Sequence, residues 1–328
     1  MDFTLSDEQE MVRDTARELF TKECTIDFVR SAWKQPTLAV GLFDRHLSDW
    51  LELASADAVD LMLFALEHGR AIAPGPFFAS LLAAQVASAT GRDLSGSASV
   101  AVSGSDGTWT PNEDATKHFV PSAADVDEIL VVSGSPDAPR LALVAQAEVA
   151  LTEVEQMDRL RCQYRVDTSG VAAGESIDPA AWRHALERSL VACSAELIGV
   201  GRWLLDASVD YAKERVQFDR PIGSFQGLQW MLVDAALELE RAAAAVSYAA
   251  MCIDADDSDR HRAVHGAKAE AGLAARACAR TGMQVHGGIG YTFEHGLHYW
   301  LRRAYAGDAF MGPSSHHHDC LAELLFDT

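Results

Sequence analysis

The 328-residue sequence predicts an α+β fold: a helical domain over residues 1–96, a small β domain over 97–176 and a helical bundle over 177–328. Three observations predict it. Apolar residues recur every three or four positions near both ends of the chain, short β-prone runs fill the middle, and a sharp helix-start signal stands at Asp178-Pro179.

In the first section Ser6 followed by Gln9 forms a capping-box pattern, and Met11, Val12, Ala16, Leu19 and Phe20 follow at helical spacing. SADAVDLMLFALEHGRAI and FFASLLAAQVASATG predict a further pair of helices, with Pro74 and Pro76 stopping the chain between them. From residue 97 the runs SASVAVS, KHFV, EILVVSG, RLALVAQ, EVALTEV and QYRVDTS read as strands separated by Gly, Pro, Asp and Ser clusters. Asp178 is then an N-cap with proline at the first helical position. From there Trp182, Leu186, Leu190, Cys193, Leu197, Val200, Leu204, Ala207 and Tyr211 mark one long amphipathic helix, expected to run to Phe218. A second helix is expected over 226–253 and, past the polar DADDSD turn, a third over 261–284, so rich in Ala and Gly that neighbouring backbones could approach closely.

Composition excludes several classes. With 27 Lys and Arg against 48 Asp and Glu, the net charge of -21 repels polyanions, so no nucleic-acid partner is expected. The six cysteines form no C-x-x-C pair, which suits reduced core thiols better than a disulfide framework. An acidic N-terminus without an apolar stretch behind it does not read as a signal peptide, and no run of about 18 apolar residues predicts a membrane span. A cytoplasmic protein without a membrane partner is expected. His316, His317 and His318 beside Asp319 and Cys320 hold potential metal ligands, as do Glu294, His295 and His298. Consecutive histidines do not face one point, so a polar helix start is preferred and no metal site is expected.

The order of sections, with RVQFDRPIGSFQ and QVHGGIGYT at the two ends of the last one, resembles the acyl-CoA dehydrogenase family over nearly the whole chain. The family pattern R-x-x-F-G-x-x-I-x-x-F-Q is met by Arg215, Phe218, Ile222, Phe225 and Gln226, with Asp219 in place of the glycine. The pattern Q-x-x-G-G-x-G-[YF] is met by Gln284, Gly287, Gly288, Gly290 and Tyr291. Chemically, glycines let backbone N–H groups come close to a pyrophosphate, Arg215 offers a planar fork, and Gln226 and Gln284 can hydrogen-bond a nucleotide. The resemblance implies FAD, with these residues and Phe218 holding its ADP portion across a subunit interface. Two plainer readings compete: HGGIG as a helix C-terminus with left-handed glycine, and Arg215 as an exposed helix-end charge.

The chemistry of that family needs a carboxylate base. Its Glu-Gly-Thr, set shortly after R-D-A, falls here on Met311-Gly312-Pro313, with Arg302-Arg303-Ala304 over R-D-A. The alternative slot on the first long helix falls on Ser189, and Glu187 lies about 200 degrees round from it. Asp308 is a weak alternative base, more simply an exposed loop acid. The flavin-ring loop Thr-Glu-Pro-x-x-Gly-Ser-Asp is not matched: Gly104-Ser105-Asp106 follows Ser99-Val100-Ala101 and reads as an ordinary turn. The N-terminal domain looks shortened as well. No catalytic residue is therefore expected in this chain. It resembles the short subunits of bacterial α2β2 acyl-CoA dehydrogenases acting on steroid-derived CoA thioesters. The resemblance implies a full-length dehydrogenase subunit as partner, a shared FAD, a CoA thioester substrate and an electron-transfer acceptor. Two alternatives stay open: a homomeric dehydrogenase with an unusual base, and a flavin-free scaffold.

Overall fold

The computed structural model describes residues 3–326. Helices α1 (Asp7–Glu23), α2 (Ile26–Lys34), α3 (Leu38–Leu42), α4 (Ala58–Arg70) and α5 (Phe77–Thr90) come first, with irregular helical turns from Phe43 to Ala54. The Ser6–Gln9 capping box forms in both directions. The six predicted strand runs appear as β1 (Ala98–Ala101), β2 (Thr116–Pro121), β3 (Glu128–Ser135), β4 (Ala138–Ala145), β5 (Ala150–Glu153) and β6 (Gln163–Asp167), followed by the short β7 (Glu175–Ser176). They make two sheets, ordered β1-β3-β4-β7 and β2-β6-β5. β3 explains its own continuous apolar run. Ile129 and Val131 face a small core between the sheets, whereas Leu130 and Val132 face the helical core, so both sides of the strand are buried.

The last section holds α6 (Pro179–Glu214), two short strands β8 (Val216–Gln217) and β9 (Arg220–Pro221), α7 (Gln226–Asp254), α8 (Arg260–His286), α9 (Leu297–Ala309) and α10 (Ser314–Phe326). Asp178 caps α6 through the N–H of Ala180, with Pro179 in the first turn. The helix ends at Glu214 rather than Phe218, because the chain turns there into the β8–β9 hairpin. The expected four-helix bundle is made by α6, α7, α8 and α9, and α10 packs on α8 beside it. The middle of α6 is buried all round, beyond the single apolar stripe its spacing predicts, since α4, α5, α7, α8 and α9 all pack on it. Its serines cope by bonding back one turn: Ser189 to Ala185, Ser194 to Leu190, Ser208 to Leu204. Where α4 crosses α6, a methyl group on Gly199 would meet the Leu66 carbonyl oxygen at 1.9 Å, and one on Gly69 the Glu196 carbonyl oxygen at 2.1 Å. Only paired glycines allow that approach.

Five of the cysteines are buried, Cys320 is half-buried, and none is in a disulfide. No described helix is long and apolar enough to cross a membrane.

All three sections meet at Glu196, fully buried on α6. Its carboxylate accepts from Arg161 of the β5–β6 connection, from Arg303 Nη1 of α9 at 3.0 Å, and faces His68 Nδ1 of α4 at 3.1 Å. Arg303 Nε donates in turn to Asp158. Burial by itself would raise the Glu196 carboxyl. Arg161 and Arg303, with the His68 hydrogen bond, outweigh it and hold the group well below the usual carboxylate range. Removing one partner leaves buried charge unpaired, so Glu196→Gln should cost about 3–5 kcal/mol in denaturant unfolding. The folded-state pKa lies below the unfolded one. The contribution is therefore complete above the unfolded value of about 4.3 and lost as pH falls toward the folded value. Unfolding free energies measured across that window should change less in Glu196→Gln than in the parent chain.

Candidate functional site

The ends of α6 and α8 lie together. Tyr211, in the last turn of α6, stacks on His286, the last residue of α8, with ring centroids 4.5 Å apart, and His295 closes against both rings. The two predicted motifs leave from this junction. Gly287 has φ +59 and ψ −138, a conformation only glycine adopts without strain, and a methyl group on Gly287 or Gly288 would meet nothing within 4 Å. The space in front of the turn is open. Gly287 does not offer its N–H to it, however, because that group closes the last turn of α8 onto the Met283 carbonyl. The helix C-terminus foreseen as the plainer reading is therefore present, and of the glycine pair only the Gly288 N–H is left as a candidate donor.

In front of this turn runs an open groove of about 760 Å³. Gln284, Gly287, Gly288 and Tyr291 form one side with Arg280, and His298, Arg302 and Tyr305 of α9 form the other. Two arginines and no carboxylate line it, in a chain of net charge -21. Such a groove favours an anionic group over its surroundings. His298 is 8% exposed, boxed by Trp33, Phe293 and Tyr299. Burial, reinforced by Arg302, lowers its pKa to about 4, so it is neutral at pH 7.

Arg215, Phe218 and Gln226 do not line the groove. They stand on the adjoining hairpin and at the start of α7, tied to the groove through the Tyr211–His286 stack. Phe218 and Asp219 form the two-residue hairpin turn with φ +53 and +62, which holds the Phe218 ring 86% exposed. Asp219 thus takes the left-handed position where the family pattern has glycine. Sequence reasoning missed Arg280, and it weighed His298 only as a metal ligand and Arg302 only in the R-D-A alignment, not as groove residues. A helical-face reading could have found them, since Arg280 is one turn before Gln284 and Arg302 one turn after His298.

The expected base position has its own surroundings. Met311 is buried, with φ +63, and lines a second cavity of about 450 Å³ between the β section and the end of α9. Its sulfur lies 3.2 Å from the Cys193 sulfur. Ser189 spends its hydroxyl on the Ala185 carbonyl, and Glu187 faces away to pair with His261 and Arg260. Asp308 is not an exposed loop acid. It is buried in the last turn of α9, accepts from Arg276 Nη1 at 2.9 Å and from Ser314, and is absent from the cavity wall, because it anchors the start of α10. Lys268, fully buried on α8, donates to the carbonyls of Gly307, Asp308 and Gly312 and so caps α9 and holds the Met311 turn. The histidines of α10 diverge: His317 faces His265 at 2.9 Å, and His316 faces Cys320 at 3.6 Å.

Residues 180–326 match the family model described as acyl-CoA dehydrogenase, C-terminal domain. The chain is 27% identical over 315 residues to acyl-CoA dehydrogenase IpdE2 of Mycobacterium tuberculosis, covering 92% of each. In fold it is similar to a Tcur3481-Tcur3483 steroid ACAD G363A variant, with a TM-score of 0.83, 24% identity and 99% of each chain covered. It is likewise similar to the ChsE4-ChsE5 complex from Mycobacterium tuberculosis, with a TM-score of 0.84, 22% identity and 100% of each chain covered.

Lys268→Met should lower unfolding free energy by about 2–5 kcal/mol, since three buried carbonyls lose their donor. Denaturant titration checks this, and an unchanged midpoint would remove the capping role.

Proposed function

We propose that the chain is a member of the acyl-CoA dehydrogenase family, to which it is similar, and the non-catalytic subunit of a heteromeric, FAD-dependent enzyme. That enzyme introduces an α,β double bond into a CoA thioester, a steroid-derived one in our reading. The observation that carries the reading is a contrast within one chain: a cation-lined groove stands open at the dinucleotide motif, while the position of the base holds a buried methionine.

The residues fit the ADP portion of FAD. In our reading Arg280 and Arg302 neutralise its phosphates, Gln284 and Gly288 hydrogen-bond it, and Tyr291 shields it. Arg215, Phe218 and Gln226 meet it from the adjoining hairpin and the start of α7. When bound, FAD supplies the acceptor for the hydride leaving the thioester's β carbon. The proton from the α carbon needs a carboxylate, and we assign that glutamate and the flavin-ring site to a full-length dehydrogenase partner. Asp308 is unsuited to the task, being engaged by Arg276 and Ser314.

An exposed apolar stripe supports the partner. Trp230, Val233 and Leu237 recur on one face of α7, 61%, 53% and 65% exposed, and Phe218 projects from the nearby hairpin. Residues of this size left open at helical spacing mark a surface that another chain covers. An α2β2 assembly, an electron-transfer acceptor and a cytoplasmic location complete the proposal.

Co-expression with a full-length dehydrogenase of the same genome should give a yellow complex with about one flavin per pair of chains. Arg280→Ala with Arg302→Ala should lower the retained flavin at least tenfold without dissociating the chains. A colourless complex would point to a flavin-free scaffold. Stoichiometric FAD and turnover from the chain alone would point to an independent enzyme.

A further inference from the structure

A cavity of about 220 Å³ lies where α1, α4, α6 and α7 meet, and none of its lining residues belongs to the groove or to the space beside Met311. Packed interiors leave few voids of this size. The room comes from small side chains: Ala195 on α6 and Ala243 on α7 end at a methyl group, while Leu5, Met62, Leu66, Ile198 and Val246 supply the rest of an apolar wall. A cavity of about 150 Å³ takes a benzene ring, so this one has space for a six-carbon chain with a polar head.

The charged side chains decide what that head is. The wall holds two guanidiniums, Arg13 and Arg202, and one carboxylate, Glu67. Glu67 is 2% exposed and accepts from Arg17 Nη2 at 2.8 Å, a cation outside the wall. Arg13 gives its Nε to Asp14 at 2.8 Å and has Glu10 at 3.7 Å. Ser247 spends its hydroxyl on the Ala243 carbonyl at 3.0 Å. Arg202 differs: half-buried on α6, it makes no hydrogen bond or ion pair with any described residue. With the other charges in the wall matched by neighbours, the uncompensated charge facing the cavity is that of Arg202. Its planar fork of N–H donors matches a carboxylate, and the walls around it match an apolar tail.

We propose that this cavity binds a small apolar monocarboxylate, its two oxygens accepting from the Arg202 guanidinium and its chain lying against Met62, Leu66, Ile198 and Val246. The site is separate from the cation-lined groove, and the proposal does not depend on the flavin reading.

Isothermal titration of the full-length chain, in whatever complex it is isolated, with hexanoate tests it. Hexanoate should bind at least tenfold more tightly than 1-hexanol, which lacks the charge, and more tightly than hexylamine, whose charge is reversed. Arg202 has no protein partner to lose, so Arg202→Gln should fold normally and bring hexanoate down to the affinity of hexanol. Ala243→Phe, at a half-buried position of the wall, should abolish binding of both, with unchanged circular dichroism. Equal affinity for acid and alcohol, tighter binding of the amine, or a preference for the acid that survives Arg202→Gln would each overturn the proposal. So would binding undiminished in Ala243→Phe, which would place the acid at the cation-lined groove instead.

Discussion

A carboxylate buried without a partner would neutralise or unfold its surroundings; Glu196 is buried fully and stays ionised because three other segments come to it. His68 arrives from α4, Arg161 from the β section and Arg303 from α9. The chain cannot bring one of these groups in without positioning the section that carries it. The network therefore does more than join helices. It sets how the β section lies against the end of α9, which is where the cavity forms, and it orients the Arg303 fork. Arg161 adds a second contact on the same axis, its guanidinium lying 4.5 Å from the centre of the Phe78 ring.

Charge placement around Met311 follows from the same constraint. Arg303 stands where the family pattern R-D-A has aspartate, and a cation buried at that point needs the carboxylates of Asp158 and Glu196. With Lys268 buried below the turn and capping α9, the positive charge beneath Met311 is held by backbone carbonyls and existing carboxylates. Asp308, the nearest acid in sequence, is drawn into Arg276 and Ser314. The polar groups near Met311 thus serve to fix the turn.

The two ends of the molecule's surface are divided just as clearly. The chain is strongly acidic, yet the groove at the end of α8 is lined by arginines alone among charged groups. Beside it α7 exposes the apolar stripe of Trp230, Val233 and Leu237. An anionic ligand and a second polypeptide are the two things such neighbouring surfaces accommodate, and their adjacency favours a ligand held at a subunit boundary.

What the sequence by itself determined was local. Periodicity, capping and turn chemistry placed α1, α4, α5, α6, α7, α8 and all six strand runs, because those signals arise within a few residues: the Ser6 box, Asp178-Pro179, and the apolar run of β3. Motif spacing likewise found Gln284, Gly287 and Gly288, which do line one groove. The tertiary structure alone decided how distant residues meet. It ended α6 at Glu214, buried Asp308, set Arg215 and Phe218 on a hairpin outside the groove, and brought Arg280, His298 and Arg302 into it. None of these carries a local signature. Each depends on which side chain from elsewhere in the chain reaches a polar atom first, and that competition is settled only when the sections pack around Glu196.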